Sequence, residues 1–329
     1  MRKFLRSIDF WDLLLATACL AIFLYAAVFV PNFVSAFNLS QLAASASEKA
    51  LLILPMTLLI ITREIDLSIA SVLALTSVLF GLLVQAGVPT LAAIPLTLVF
   101  GGLLGAFNGY LVSGLGLQSL VVTLGTMALY RGIGYILLGT GSVNILPPAV
   151  VDFGINNLPG TQIPWTIVPF LVLAPIFAVV LQRTPTGRRI YALGGSPEVA
   201  RYSGIDTRKM VLKLFVVSGV VAAIAGIVYT ARLSNARANN ALGMELDVIT
   251  IVLLGGVSVF GGKGRLTGVM LALLLIAIIR NVLALNQIGG DAQGMIIGLL
   301  LIGSLLVSNY WRSLEERLSR SRVLRETKG

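Results

Sequence analysis

The chain has 329 residues, 57% of them hydrophobic, and a mean hydropathy of +0.95, so most of it must lie in lipid and a soluble core is excluded. Its net charge is +10, and the placement of those charges, taken up below, decides whether they point to a polyanion. With no histidine and one cysteine, Cys19, there is no disulfide framework and almost no material for zinc or histidine-based chemistry.

The uncharged runs set the architecture. Leu67 to Tyr130 holds no charged residue in 64 positions, and Leu13–Ser47, Phe153–Gln182, Leu214–Ala231 and Ala292–Trp311 are also uncharged. The pattern predicts an all-α polytopic membrane protein of about ten transmembrane helices, with eight to eleven compatible. The expected spans are roughly 12–30, 45–62, 67–86, 91–113, 118–138, 166–182, 211–231, 248–260, 266–285 and 294–310. The apolar runs 50–62 and 248–260 are short for a crossing. Either they extend into polar flanks or they are broken or re-entrant elements.

With the N-terminus in the cytosol, nineteen of the 24 Lys/Arg fall on the cytosolic side and three, Lys49, Arg232 and Arg237, outside. Arg131 and Arg280 lie within spans. This bias is the positive-inside rule: it records topology, places both termini in the cytosol and removes the nucleic-acid reading.

In chain order, Met1-Arg2-Lys3 before an apolar run suggests a signal peptide. However, a first span of about 19 residues followed by Pro31-Asn32-Phe33, with no small-residue cleavage pattern, reads as a retained anchor. Arg63-Glu64-Ile65-Asp66-Leu67-Ser68 then breaks the apolar pattern. Asp66 suits a cap on the following helix, or Glu64 and Asp66 border the inner end of a solute pathway. Gly101, Gly105 and Gly109 form a ridge at four-residue spacing, for contact within the chain or between subunits. Thr123, Thr126 and Tyr130 share one helical face and, with Asn108, Arg131 and Asn281, are the polar residues that stand out within spans. A hydroxyl stripe suits a neutral polyhydroxyl solute and equally suits bonds between helices. Arg131 and Arg280, each about two turns from the outer end of its span, suit snorkelling or pairing with Glu245, Asp247 or Asp291. No ladder of acidic residues supports proton or sodium coupling.

Residues 139–165 read as an outer loop of turns, and 232–247 as a second polar outer segment. Between them, 183–213 is a basic cytosolic loop with seven Lys/Arg against two acids. It contains a short helix with both ends marked: Ser196 as N-cap, Pro197 at the first position, Glu198 in the first turn and Gly204 just past the end. Seven residues span only about 10 Å, too short to be stable alone, so this helix requires a partner. Gly261-Gly262-Lys263-Gly264 fails the phosphate-loop spacing, because Val257 and Gly264 stand where Gly and Ser/Thr are required, and reads as a tight turn. The tail 312–329 is a mixed-charge cytosolic segment. The whole of 1–329 is one membrane domain with no nucleotide-binding unit. Two repeats of opposite topology, spans 2–5 and 7–10, are a further expectation.

At this point the chain resembles a known family, the permease subunits of bacterial ABC importers for monosaccharides of the ribose, xylose, rhamnose and autoinducer-2 type. The resemblance rests on Ile65-Asp66-Leu67-Ser68, on Leu124-Gly125-Thr126-Met127-Ala128-Leu129-Tyr130-Arg131-Gly132, and on Thr186-Gly187-Arg188. It continues through Ala192-Leu193-Gly194-Gly195-Ser196 to Ser203-Gly204-Ile205, then Glu245-Leu246-Asp247 and Leu254-Gly255-Gly256 to Gly264. The family usually has a glycine pair where this chain has Arg63-Glu64, a departure that resembles the rhamnose-type members.

The resemblance implies ABC-importer permease architecture and import of a neutral monosaccharide across the bacterial inner membrane. It also implies a second permease subunit, identical or homologous, two cytosolic ATPase subunits and a periplasmic sugar-binding protein. ATP and magnesium would be bound by the partner ATPase, so this chain would carry no cofactor or metal and would not be an enzyme. The coupling loop would comprise Gly187, Arg188, Arg189, Ser196, Pro197, Val199, Ala200, Arg201, Tyr202, Gly204 and Ile205, with Val199 and Tyr202 as its apolar contacts. Arg232, Arg237, Glu245 and Asp247 would lie near the outer gate and the binding-protein face. The competing readings are a permease for an autoinducer-2-like furanosyl solute, a secondary sugar transporter, and a membrane-embedded enzyme, which lacks a nucleophile–base pair in the spans.

Overall fold

The computed structural model describes residues 10–290, 292–299 and 302–303. Its helices are α1 (Phe10–Phe29), α2 (Ala36–Ile61), α3 (Ile69–Gln85), α4 (Thr90–Gly109), α5 (Ser119–Leu138) and α6 (Pro148–Ile155). They continue with α7 (Val168–Arg183), α8 (Pro185–Gly195), α9 (Pro197–Tyr202), α10 (Thr207–Leu233), α11 (Met244–Leu254) and α12 (Leu266–Leu285). A π turn, Tyr110–Gly114, prolongs α4. Among the described residues, extended pairing is limited to the isolated bridges Val143–Ala236 and Asn157–Pro164.

Seven of these helices are long and apolar enough to cross a membrane, and α3 adds a 17-residue apolar helix. The short run 50–62 is resolved by extension, since α2 starts at Ala36 and runs through the polar flank. The run 248–260 resolves the other way. α11 has eleven residues, about 16 Å at helical rise against a hydrocarbon core of ~30 Å, and the chain then leaves the helix. Of the tenth expected span, 292–299 is helical; the tail 312–329 and the first nine residues lie outside the described residues.

α2 is the buried rod of the molecule. Every residue from Ala50 to Ile61 is buried, as expected of a helix apolar all round and enclosed by other helices. α10 lies against it and also receives α3, α4 and α6, while α7, α11 and α12 pack on the other sides of α2 and α1 on α12. The glycine ridge explains the closest of these approaches. A Cβ on Gly101 would collide with the Gly219 carbonyl, one on Gly105 with the Phe215 carbonyl, and one on Gly109 with Leu212, all on α10. The ridge therefore serves contact within the chain.

Two segments carry more structure than the sequence suggests. Residues 139–165 contain α6, which starts with Pro148 in its first turn and buries Val150 and Gly154. Gly154 lies where a Cβ would run into the Ala231 carbonyl of α10, so the helix is held by tertiary contact rather than by its own propensity. In the basic loop, α8 precedes the expected short helix, with Thr184 as N-cap and Pro185 in its first turn.

The glycine contacts predict a contrast. Gly105→Val, facing backbone, should lower thermal stability in detergent by at least about 1–3 kcal/mol. Gly125→Val should leave it near wild type, because a Cβ there meets nothing within 4 Å. Size-exclusion recovery after a temperature ramp reads both.

Candidate functional site

The break between α2 and α3 builds the centre of the site. α2 ends in a left-handed turn: Arg63 has φ +69°, its amide donates to the Ile60 carbonyl at 3.0 Å, and the Glu64 amide donates to Leu59 at 2.9 Å. This helix stop normally uses glycine, and an L-residue in that conformation costs about 1–2 kcal/mol. The chain then turns inward.

Asp66 is 3% exposed. It does not cap α3 in the expected way, because Ser68 takes the N-cap position and no side chain caps that helix. Instead Asp66 Oδ1 accepts from the Ser68 amide at 3.0 Å and from the Ser68 hydroxyl at 2.6 Å, while Oδ2 accepts from the Ser218 hydroxyl of α10 at 2.8 Å. Asn108 of α4 donates to Ser68 Oγ at 2.8 Å, and the Tyr130 hydroxyl of α5 lies 3.1 Å from Asn108 Oδ1 and 3.0 Å from the Leu104 carbonyl. Both oxygens of the acid are thus engaged, which offsets the cost of burying a carboxylate in an apolar bundle.

The hydroxyl stripe is turned into the same region. Thr123 Oγ1 donates within reach of the Ser119 carbonyl at 2.8 Å and the Ile65 carbonyl at 3.1 Å, and Thr126 reaches the Thr123 carbonyl at 3.4 Å. The Ile65 amide donates to Ser119 Oγ at 3.2 Å, with half-buried Glu64 beside it. Asp66, Asn108, Thr123, Thr126 and Tyr130 therefore gather around one backbone break, with Glu64 at its edge. Arg131 and Asn281 lie apart from this cluster. Arg131 Nη1 donates to the Ala238 and Asn240 carbonyls at 2.9 and 2.6 Å, and Asn281 exchanges amide hydrogen bonds with Asn38, both at 2.9 Å. Ser218, which completes the Asp66 shell, gives no signal in the sequence, since a serine in an apolar helix is ordinary.

A second polar group lies toward the opposite end. Glu48, fully buried, accepts from Arg232 Nε at 2.6 Å, and the Arg232 guanidinium stands 5.5 Å from the Tyr229 ring centre. Asp247 accepts from Lys49 Nζ at 2.7 Å and from Arg280 Nη2 at 2.7 and 2.8 Å, joining α2, α11 and α12. Arg280 thus finds one of its expected partners. Glu245 and Asp247 belong to the first turn of α11 rather than to a loop; Glu245 is buried and Arg237 is exposed. Sequence reasoning missed Glu48. Its signal was there: Glu48-Lys49 is an acid–base pair inside a long apolar stretch.

The basic segment forms the third part. Ser196 Oγ accepts from the Val199 amide at 3.4 Å, and α9 ends at Gly204 with φ +80°, where the Gly204 amide bonds to Arg201 at 3.0 Å and the Ile205 amide to Ala200 at 3.1 Å. Both caps are those expected from the sequence, with the helix one residue shorter. Ala200 is buried, while Val199 and Tyr202 are 62% and 92% exposed. Arg188, Arg189 and Arg201 are exposed, Gly187 is buried against the Leu181 carbonyl, and Pro197 and Ile205 are half-buried. Asp206 caps α10 by accepting from the Lys209 amide at 3.0 Å; that bond and the Lys209 ammonium hold its carboxyl below the usual range.

A bundle with seven helices long and apolar enough to cross a membrane, built around a buried polar cluster centred on Asp66, is the architecture of a polytopic membrane protein. Residues 38–305 match the family described as the branched-chain amino acid transport system / permease component, and the chain belongs to that family. It is 36% identical over 299 residues to the D-allose transport system permease protein AlsC of Escherichia coli, covering 90% of this chain and 91% of the relative. It is 34% identical over 287 residues to the ribose import permease protein RbsC of Haemophilus influenzae, covering 85% and 87%. The autoinducer 2 import system permease protein LsrD of Yersinia enterocolitica is 35% identical over 260 residues, covering 76% and 78%. No solved structure matches the chain.

The Glu48–Arg232 pair gives a second prediction. Arg232→Met should destabilise the protein by about 3–5 kcal/mol, because it strands a buried carboxylate, whereas Glu48→Met/Arg232→Met should recover most of that loss. Thermal unfolding in detergent measures the difference between the single and double variants.

Proposed function

We propose that this chain is the membrane-spanning permease of an ABC importer that carries a neutral monosaccharide across the bacterial inner membrane. The single observation that carries this reading is α9. A two-turn helix, capped at both ends, presents Val199 and Tyr202 to solvent at i, i+3 with three exposed arginines around it. Exposed apolar side chains on a helix too short to stand alone fit a docking peg for a partner ATPase, and the arginines fit its electrostatic steering. The excess of Lys/Arg on the same side supports a cytosolic position for the peg and for both termini.

In this reading the permease pairs with a second permease subunit, binds two ATPase subunits at the α8–α9 segment and receives sugar from a periplasmic binding protein at the opposite end. ATP and magnesium belong to the ATPase. Arg232, Arg237, Glu245 and Asp247 lie at the outer gate, and Glu64, Asp66, Asn108, Thr123, Thr126 and Tyr130 border the pathway. The neutral character of the solute is supported by the relatives named for ribose and D-allose import, and by a central cluster whose one buried acid is already matched by hydroxyls. The relative named for autoinducer 2 favours a furanosyl solute as the second reading.

Val199→Asp/Tyr202→Asp tests the peg. Losing two apolar contacts worth about 1.5 kcal/mol each should weaken ATPase binding roughly a hundredfold, leaving membrane insertion intact. Co-purification of the ATPase subunits reads this effect, and retained binding rejects the peg. Binding-protein-stimulated ATP hydrolysis over D-ribose, D-allose, L-rhamnose and autoinducer 2 assigns the solute. A complex that moves sugar without ATP would reject the class.

A further inference from the structure

Arg63 stands where the backbone favours glycine, yet it carries a long cation, and two of its donors are engaged by backbone. Its Nε donates to the Gly194 carbonyl at 2.7 Å and its Nη2 to the Gly195 carbonyl at 2.6 Å. Those carbonyls close α8, where a helix leaves acceptors without partners and where a positive charge is favoured. The next residue, Ser196, is the N-cap of α9. Three residues beyond Arg63 in the other direction is Asp66, with its bonds into α3 and α10. One side chain therefore spans the gap between the peg and the polar cluster of the bundle.

The surroundings are shaped to admit it. The Gly262 amide donates to the Ile61 carbonyl at 2.8 Å, a Cβ on Gly194 would collide with that carbonyl, and one on Gly261 would collide with the Gly194 carbonyl. Gly261 would also collide with Arg63 Cγ, so the arginine stem runs along glycine backbone. The Tyr191 hydroxyl adds a bond to the Gly264 carbonyl at 2.7 Å, which joins α8 to the 255–264 segment. Contacts between bare backbones resist compression. A planar guanidinium with two N–H donors on successive carbonyls also resists sliding and twisting.

We propose that Arg63 is a positioning residue for transport: the strut through which displacement of α9 reaches the Asp66 cluster. The inference rests on the reading of α9 as the ATPase peg. It goes beyond that reading in assigning the transmission to one side chain.

Arg63→Gly is the direct test, because glycine suits the left-handed turn and removes only the fork. The permease is purified with its ATPase subunits and binding protein and reconstituted in proteoliposomes. The readout is sugar accumulated per ATP hydrolysed, using whichever of D-ribose, D-allose and L-rhamnose the wild-type complex moves. Arg63→Gly should retain its ATPase subunits and hydrolyse ATP while sugar moved per ATP falls tenfold or more. Arg63→Lys, with one donor group in place of the fork, should recover part of the ratio. A wild-type ratio in Arg63→Gly overturns the inference, and so does loss of the ATPase subunits from that variant or a failure of Arg63→Lys to improve on it. The Val199→Asp/Tyr202→Asp variant separates the two ideas: if that complex keeps its ATPase, the peg fails whatever Arg63 does.

Discussion

Burying a carboxylate among apolar helices is costly unless it is hydrogen-bonded, and Asp66 finds donors for both oxygens on residues that would otherwise have no reason to meet. Ser68 lies on its own segment, and Ser218 comes from α10. Ser68 in turn draws Asn108 from α4, and Asn108 draws Tyr130 from α5. Four elements are held around one acid, each bond fixing an axial position that oily packing alone would leave free to slide. The same requirement explains why the chain tolerates a break in helix there. Backbone outside a helix needs partners when buried, and Ser119 and Thr123 of α5 supply them to the Ile65 amide and carbonyl.

Small residues decide which helices come close enough for those bonds. α10 meets α4 at Gly219 and meets α3 at Gly226, two turns further along, where a Cβ would strike Thr76 and the Leu73 carbonyl. Lipid offers no hydrophobic drive for helices to associate, so close backbone contact and interhelical hydrogen bonds take on that role. The Ser77–Thr230 hydroxyl pair, 2.6 Å apart, continues the same seam. α3, α4 and α10 are thereby joined by both mechanisms at once.

What could be read in advance was local or periodic. Spans followed from hydropathy, and the caps of α9 from Ser196, Pro197 and Gly204, because a cap is set by residues within one turn of it. Thr184-Pro185 carries the same local signal for α8. The hydroxyl stripe was legible as a shared face, but not its use, since the acceptor at Ile65 is visible only once the break folds inward. Ser218 was beyond reach for a physical reason: its partner, Asp66, is 152 positions away, and no local pattern encodes such a pair. Glu48 was legible beside Lys49, but its pairing with Arg232, 184 positions away, was not. α6 escaped notice because its stability is borrowed from α10.

The rod α2 joins the two polar groups that flank the bundle. Glu48 and Lys49 bind Arg232 and Asp247, and some 20 Å along the helix Ile61 and Arg63 meet the ends of α8 and of the 255–264 segment. Between them every residue from Ala50 is buried, so dense packing opposes local deformation and favours displacement as a body. Pro55 interrupts this stretch. Lacking an N–H, it cannot bond to the Leu51 carbonyl, while the Thr57 hydroxyl donates to the Ile53 carbonyl at 2.6 Å and competes with the helix's own ladder two residues on. The helix's own hydrogen bonding is therefore weakest at Pro55, roughly midway between the two attachments, and there the enclosing helices rather than the ladder oppose bending.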